Sequence, residues 1–311
     1  MTYEKYLEEL IKNDGNIFIL TAENRAVIRN LPDKIGNRFI DVGISEQSMI
    51  GISAGLALRG RKPVVHALAS FLTMRAFEFI RTDIGIGRLP VKLVGGVPGF
   101  LSEANGPTHQ AIEDISLMRA IPGMNIFCPA DEDDLIICLP EVINSPNPFY
   151  IRFNNSKTLI QHDREFQIGQ AECLTDGDDI TILTYGFMLQ ECYKAAMTLK
   201  ARGYSVRLIN LRTLKPVDTE LIINAATQTK TIITVEDHFL TGGLYTIIAE
   251  IFLKYNISVP VLPIALNNRW FKPALLKDVL QFEGFDSQSL VEQIIGHFEM
   301  KQENLNVKSL I

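Results

Sequence analysis

The stretch Asp41-Val-Gly-Ile-Ser-Glu46-Gln47 decides the fold. A short apolar run, Phe39–Val42, ends at Gly43, and Ser45 opens a helix rich in small residues, Glu46–Arg59. A strand feeding a helix through so short a turn is half of a parallel β-α-β unit, in which the helix must cross over the sheet before the next strand. The turn also sets one carboxylate, Glu46, at a helix start. About sixty residues further on, Gly106-Pro-Thr-His109-Gln110 places an imidazole in a Gly/Pro loop.

Outward from this unit the same alternation continues. Strands are expected at Ile17–Leu20, Phe39–Val42, Val64–Ala67, Lys92–Gly95, Asn125–Phe127 and Phe149–Arg152, with helices at Glu46–Arg59, Arg75–Ile84, Glu113–Ala120 and Asp131–Asn144. After Arg152 the texture becomes that of a polar connector, Asn154-Asn-Ser-Lys-Thr and Gln161-His-Asp-Arg-Glu. From Asp179 a second series begins: Thr181–Tyr185, Leu189–Arg202, Val206–Asn210, Thr219–Thr227, Thr231–Val235 and a helix after Gly242-Gly243. The expected fold is α/β with two domains, residues 1–165 and 166–311, each a mainly parallel sheet flanked by helices.

A chain of 311 residues with 47% hydrophobic and 21% charged residues can bury two cores. The net charge of −6 with scattered basic residues argues against nucleic acid as a partner. No apolar run approaches the roughly 18 residues of a membrane span, and Met1-Thr-Tyr-Glu-Lys-Tyr lacks a signal-peptide pattern. A cytoplasmic protein without membrane contact is expected. Cys128, Cys138, Cys173 and Cys192 form no CxxC pair and have no histidine at zinc spacing, so buried, reduced thiols are expected.

Other features invite chemistry and have plainer readings. Asp131, Glu132, Asp133 and Asp134 crowd a helix start, where negative charge complements the helix dipole. The alternative is a metal site. Gly85-Ile-Gly87 and Gly242-Gly243 do not complete a dinucleotide fingerprint, and no phosphate-binding G-x-x-x-x-G-K-[ST] loop occurs. Gly242-Gly243 suits a tight strand-to-helix turn with close packing.

Taken together, Asp41-Val-Gly-Ile-Ser-Glu46-Gln47, Lys62-Pro-Val-Val, Phe71-Leu-Thr-Met-Arg75-Ala, Gly106-Pro-Thr-His109-Gln110, Leu117-Met-Arg-Ala-Ile-Pro-Gly123, Cys128-Pro-Ala-Asp131, Asn210-Leu-Arg-Thr-Leu-Lys-Pro-Val-Asp218 and Val235-Glu-Asp-His-Phe-Leu-Thr-Gly-Gly243 resemble landmarks of transketolases and 1-deoxyxylulose-5-phosphate synthases, in the family's order. The resemblance runs from about residue 15 to 290. It covers the pyrimidine-binding and C-terminal domains and so resembles the C-terminal half of a split transketolase.

That resemblance implies a thiamine diphosphate enzyme in which a ketose donates a two-carbon ketol unit to an aldose. Glu46 would hydrogen-bond the aminopyrimidine N1′ and favour its activating tautomer, since the cofactor does the hard chemistry and the protein sets its electronics. Without the resemblance, Glu46 is a glutamate favoured by a helix dipole. Phe71 would pack on the aminopyrimidine, with Arg75 beside it; the plain alternative for Phe71 is core filling. His109 would contact donor hydroxyls near the reactive carbon, where a neutral imidazole can give or accept a proton. His66, at a strand end just before Phe71, could line the site. Arg152 would grip a sugar phosphate through its planar guanidinium, or else be a strand-end arginine in an ion pair. His162 and His297 are expected to be exposed.

Departures from the family carry information. Asn105 stands where transketolases have an aspartate that reads a donor hydroxyl, and Val97 stands where they have a histidine. The loss of a charge and an imidazole points to a modified ketose, deoxy or branched. The Gly-Asp-Gly motif that holds the divalent ion is missing, so Mg2+ (or Ca2+) and the diphosphate would be held by a separate N-terminal subunit, in an α2β2 heterotetramer. Two alternatives stay open: the beta subunit of a 2-oxoacid dehydrogenase decarboxylating component, and a non-catalytic assembly partner.

Overall fold

The computed structural model describes residues 1–308, with side chains through residue 299. Twelve strands are present among them: β1 (Ile17–Thr21), β2 (Phe39–Asp41), β3 (Lys62–Leu68), β4 (Lys92–Gly96), β5 (Asn125–Phe127), β6 (Phe149–Arg152), β7 (Glu172–Thr175), β8 (Ile180–Thr184), β9 (Val206–Asn210), β10 (Thr213–Lys215), β11 (Thr231–Phe239) and β12 (Val261–Leu266). They form a seven-stranded sheet, β10-β5-β6-β4-β3-β1-β2, and a five-stranded sheet, β12-β11-β8-β9-β7. Ten strands run parallel in the two sheets, and β10 and β7 add antiparallel edges. The expected α/β architecture of two mainly parallel sheets flanked by helices is therefore present.

In the first sheet β1 lies between β2 and β3, so the chain leaves β1 toward one edge and leaves β3 toward the other. This reversal opens a crevice at the carboxyl ends of β1 and β3, the place where open α/β sheets bind ligands.

Strands β7 and β12 are not among the expected elements, and three further features depart from the expected pattern. No element is expected before Ile17, yet a helix occupies Tyr3–Asn13; Tyr3, Leu7 and Ile11 recur every four residues and pack against Ile17, Ile19 and Val64. Strand β10 belongs by sequence to the second half but completes the first sheet, pairing Thr213 with Phe127 and Lys215 with Ile126. Beyond Val235, β11 bulges before rejoining β12 at Phe239, which carries Glu236, Asp237 and His238 into the interior between the halves. A continuous buried cluster runs from Val65 and Leu93 of the first sheet to Leu183, Ile209 and Ile232 of the second.

The acidic run is a helix start: Asp131 caps the helix Glu132–Asn144, its side chain accepting from the N–H groups of Asp133 and Asp134. Gly242 has φ 85°, and a Cβ on Gly243 would come within 2.0 Å of Glu236 Oε2, so close packing does demand glycine there. Cys128, Cys138 and Cys192 are buried free thiols, but Cys173 is exposed because β7 is an edge strand. No helix among the described residues is long and apolar enough to cross a membrane.

Candidate active site

Glu46 begins the helix Glu46–Leu58 directly after β2 and is only 2% exposed. Its two carboxylate oxygens accept from Arg75 Nη1, both at 3.1 Å. Arg75 closes a π-helical segment, Phe71–Arg75, that follows β3. Such wide turns recur at functional sites, and here four residues make nearly one turn, which brings the Arg75 guanidinium over the Phe71 ring at 4.2 Å. The ring in turn meets the His109 imidazole edge-on at 5.0 Å. Glu46, Arg75, Phe71 and His109 thus form one connected cluster.

The loop from β4 to His109 is shaped by backbone strain. Val97 (φ 47°) and Glu103 (φ 46°) sit in the left-handed region, which is rare for any side chain and rarer for a β-branched one. Gly99 (φ 55°) has no alternative, since a Cβ there would lie 1.9 Å from Asp237 Oδ2. Asn105 is exposed, and its side-chain amide donates to the Ser102 carbonyl. Thr108 Oγ1 lies 2.9 Å from His109 Nδ1.

A cleft of about 250 Å³ opens at the crevice between β1 and β3. Asn24, Ala26 and Val27 line it from the segment after β1. His66, Ala67 and Leu68 close β3, Val94 and Gly96 come from β4 and Val97 follows it, and Leu101 and the run from Phe153 to Ser156 complete the wall. Phe71 follows Leu68 by three residues, and the Val97 loop leads to His109, so cleft and cluster share the carboxyl edge of one sheet. Asn24 and Asn155 lie just past expected strand ends, the one sequence signal that could have marked them. His66 Nε2 is 2.8 Å from the Tyr3 hydroxyl, Nδ1 has no hydrogen-bond partner, and burial drops its pKa to about 4.

Arg152 is not in this cleft. It is 2% exposed, with Nε 3.0 Å from Asp114 Oδ2, Nη1 2.5 Å from Asp237 Oδ1 and Nη2 donating to the Asp237 carbonyl. The geometry is that of the ion-paired alternative, and it corrects the expectation of a phosphate grip: a guanidinium shared by two buried carboxylates is already neutralised and lies below the surface a substrate would reach.

His162 is likewise buried rather than exposed, and His297 is half-buried. His162 sits between Asp131 Oδ2 at 3.1 Å and Glu172 Oε2 at 2.9 Å, and Arg212 bridges Asp134 and Glu172 at 2.8 and 3.2 Å. Burial opposes its charge, but the hydrogen bonds to Asp131 and Glu172 carry its pKa up to about 10. Asp134, His162 and Glu172 have metal-ligand spacing, yet in this network two cations cross-link three carboxylates and pin the connector to both halves. Nothing local in the sequence announces it.

The cluster fits the pyrimidine side of thiamine diphosphate: a buried carboxylate, an aromatic ring and an imidazole converge on one edge. Arg75 covers one face of Phe71, so a stacked ring must displace the guanidinium or use the opposite face.

Comparison with known proteins gives the family. Residues 1–159 match the model of the transketolase pyrimidine binding domain, and residues 169–290 that of the transketolase C-terminal domain. A 6-deoxy-6-sulfo-D-fructose transketolase subunit of Clostridium sp. (strain MSTE9) is 35% identical over 264 residues, 84% of this chain and 82% of that one. An apulose-4-phosphate transketolase subunit of Phocaeicola vulgatus is 33% identical, covering 84% and 86%. A solved split gene transketolase, described as an inactive β4 tetramer, superposes with a TM-score of 0.83 at 30% identity and covers 96% of each chain. The chain belongs to the transketolase family, as the C-terminal subunit of a split transketolase.

Proposed function

We propose that this chain supplies the aminopyrimidine and sugar-binding side of a ketol transferase, and that an N-terminal subunit supplies the diphosphate and Mg2+ (or Ca2+) side. When bound, thiamine diphosphate supplies the nucleophilic carbon that cleaves the bond beside a ketose carbonyl. Glu46 holds the ring nitrogen N1′ through its buried carboxylate, and Phe71 packs on the ring while Arg75 swings aside or stays on the far face. His109, in its loop beside Phe71, moves a proton at the donor hydroxyl; Asn105 and His66 border the sugar. Residues 1–165 and 166–311 serve as pyrimidine-binding and C-terminal units of one cytoplasmic subunit in an α2β2 assembly.

The observation that carries this reading is the contact chain Glu46–Arg75–Phe71–His109 in a chain without a Gly-Asp-Gly motif. The need for a partner has separate support. Beyond its polar first turn the helix that begins with Glu46 is apolar apart from buried Ser53, and Ile52 and Leu58 on it are exposed together with nearby Ile44 and Ile86. A helix apolar all round belongs in an interior, so this face suits a subunit contact at the same edge as Glu46. The test is to titrate thiamine diphosphate and Mg2+ into the purified chain, alone and with its partner, while following ketose cleavage. Weak binding and no cleavage by the chain alone are expected. In the complex, Glu46→Ala should lower turnover by about 10²–10⁴-fold; near-normal turnover of that variant, or full activity of the lone chain, refutes the assignment.

A further inference from the structure

The cleft between β1 and β3 has an unusual chemical character for a sugar site expected to take anionic chains. None of its lining residues is Asp, Glu, Lys or Arg. His66 is the one titratable group among them, and burial keeps it neutral at physiological pH. The other polar groups are the amides Asn24, Asn154 and Asn155 and the hydroxyl of Ser156, set among aliphatic walls that include Val27, Val94 and Leu101. Asn154 is itself committed, donating to the Ala130 carbonyl and accepting from the Ser156 N–H.

Cations in the neighbourhood do not change this. Arg152 is saturated by Asp114 and Asp237 beneath the sheet edge. Arg25 is paired with Asp41, and Lys157 is exposed beyond Ser156 and does not line the cleft. A phosphate or sulfonate group entering here would lose water without a guanidinium or an ammonium of this chain lining the cleft to receive it. Burying a charge unpaired is among the costliest events in a protein interior. A hydroxyl or a methyl group meets amides and aliphatic carbons and loses little.

The cleft is also held in place. Val97, a β-branched residue, is kept at φ 47° where the wall turns into the His109 loop, the kind of strain that persists where surrounding structure fixes a ligand clamp.

We propose that this cleft is the specificity pocket for the end of the sugar chain remote from the reacting carbonyl, and that it selects an uncharged end over a phosphate or sulfonate. The proposal rests on the ketol-transferase reading and narrows its substrate class to neutral ketoses, including deoxy ones.

The test uses the complex of this chain with its partner subunit, loaded with thiamine diphosphate and Mg2+. Three ketoses that differ only at the far end serve as probes: D-fructose, 6-deoxy-D-fructose and D-fructose 6-phosphate. At least one neutral ketose should exceed the phosphate in kcat/KM by about tenfold or more, the discrimination expected when a charged group meets a site without a counter-charge. Asn155→Arg places a guanidinium at the rim and should shift that ratio toward the phosphate by about tenfold or more. Equal or higher kcat/KM for the phosphate in the unmodified complex overturns the proposal while leaving the ketol-transferase reading intact. An unchanged ratio in Asn155→Arg also overturns it, since the cleft would then not touch the far end. Failure to cleave any of the three by a complex that has bound the cofactor overturns the ketol-transferase reading, and the proposal with it.

Discussion

Arg152→Ala separates a structural arginine from a substrate-binding one. Arg152 joins β6 of the first sheet to Asp114 at the start of the helix Asp114–Arg119 and to Asp237 in the bulge of β11, so a single side chain ties three elements from both halves. The two carboxylates are 0% and 1% exposed. Tyr150 also donates to Asp114 at 2.7 Å, and the Phe100 N–H donates to Asp237 at 3.3 Å, but neither brings a positive charge. Removing one partner of a buried ion pair costs about 3–5 kcal/mol because the other charge stays behind unpaired. In a chain of this size each kcal/mol moves Tm by roughly 2–4 °C, so a fall on the order of 10 °C is expected. Asp237, once stranded, can escape by taking up a proton, and burial already raises its pKa. The variant should therefore lose more stability relative to the parent at pH 8 than at pH 5. Thermal unfolding followed by circular dichroism at both pH values measures this. If the variant melts with the parent and instead shows a raised KM confined to phosphorylated ketoses, the reasoning is refuted and Arg152 is a phosphate ligand.

Three further outcomes follow from the same geometry. His109→Ala in the assembled enzyme should lower kcat by about 10²–10⁴-fold, as for a lost acid–base group, and an unchanged kcat would reduce its loop to a structural role. His162 titrates near 6.5 in an unfolded chain but at about 10 when folded, so the stability it adds is complete below 6.5 and disappears as pH rises through 10. Between pH 7 and 10 the parent should lose Tm more steeply than His162→Asn; parallel curves would show that the imidazole carries no proton there. Gly243→Ala should cost about 1–3 kcal/mol, because its methyl group must displace the Glu236 carboxylate that accepts from the Leu244 and Tyr245 N–H groups; a Tm within a degree of the parent would contradict the packing described.

Local pattern was enough for most of the architecture, though not for the helix Tyr3–Asn13 or the strands β7, β10 and β12. Runs such as Asn125–Phe127 and Val206–Asn210 are strands as read, and the acidic helix start at Asp131–Asp134 was legible because charge complements a helix dipole within its first turn. Glu46, Phe71 and His109 were nominated by the resemblance of their short motifs to those of transketolases, which local periodicity alone would not have supplied. Partners distant along the chain were beyond that reach. Whether Arg152 faces a substrate or a carboxylate depends on Asp237, 85 residues away. Whether His162 is solvated or buried depends on Asp131, Glu172 and Arg212 arriving from three different segments. The charge of the cleft is likewise a property of four strand ends at once, none of which is unusual alone. Periodicity and propensity are set within a turn or two of backbone, whereas burial and charge pairing are set by which elements the topology makes neighbours; that is why most of the fold was written in the sequence and the roles of Arg152, His162 and the neutral cleft were decided only in three dimensions.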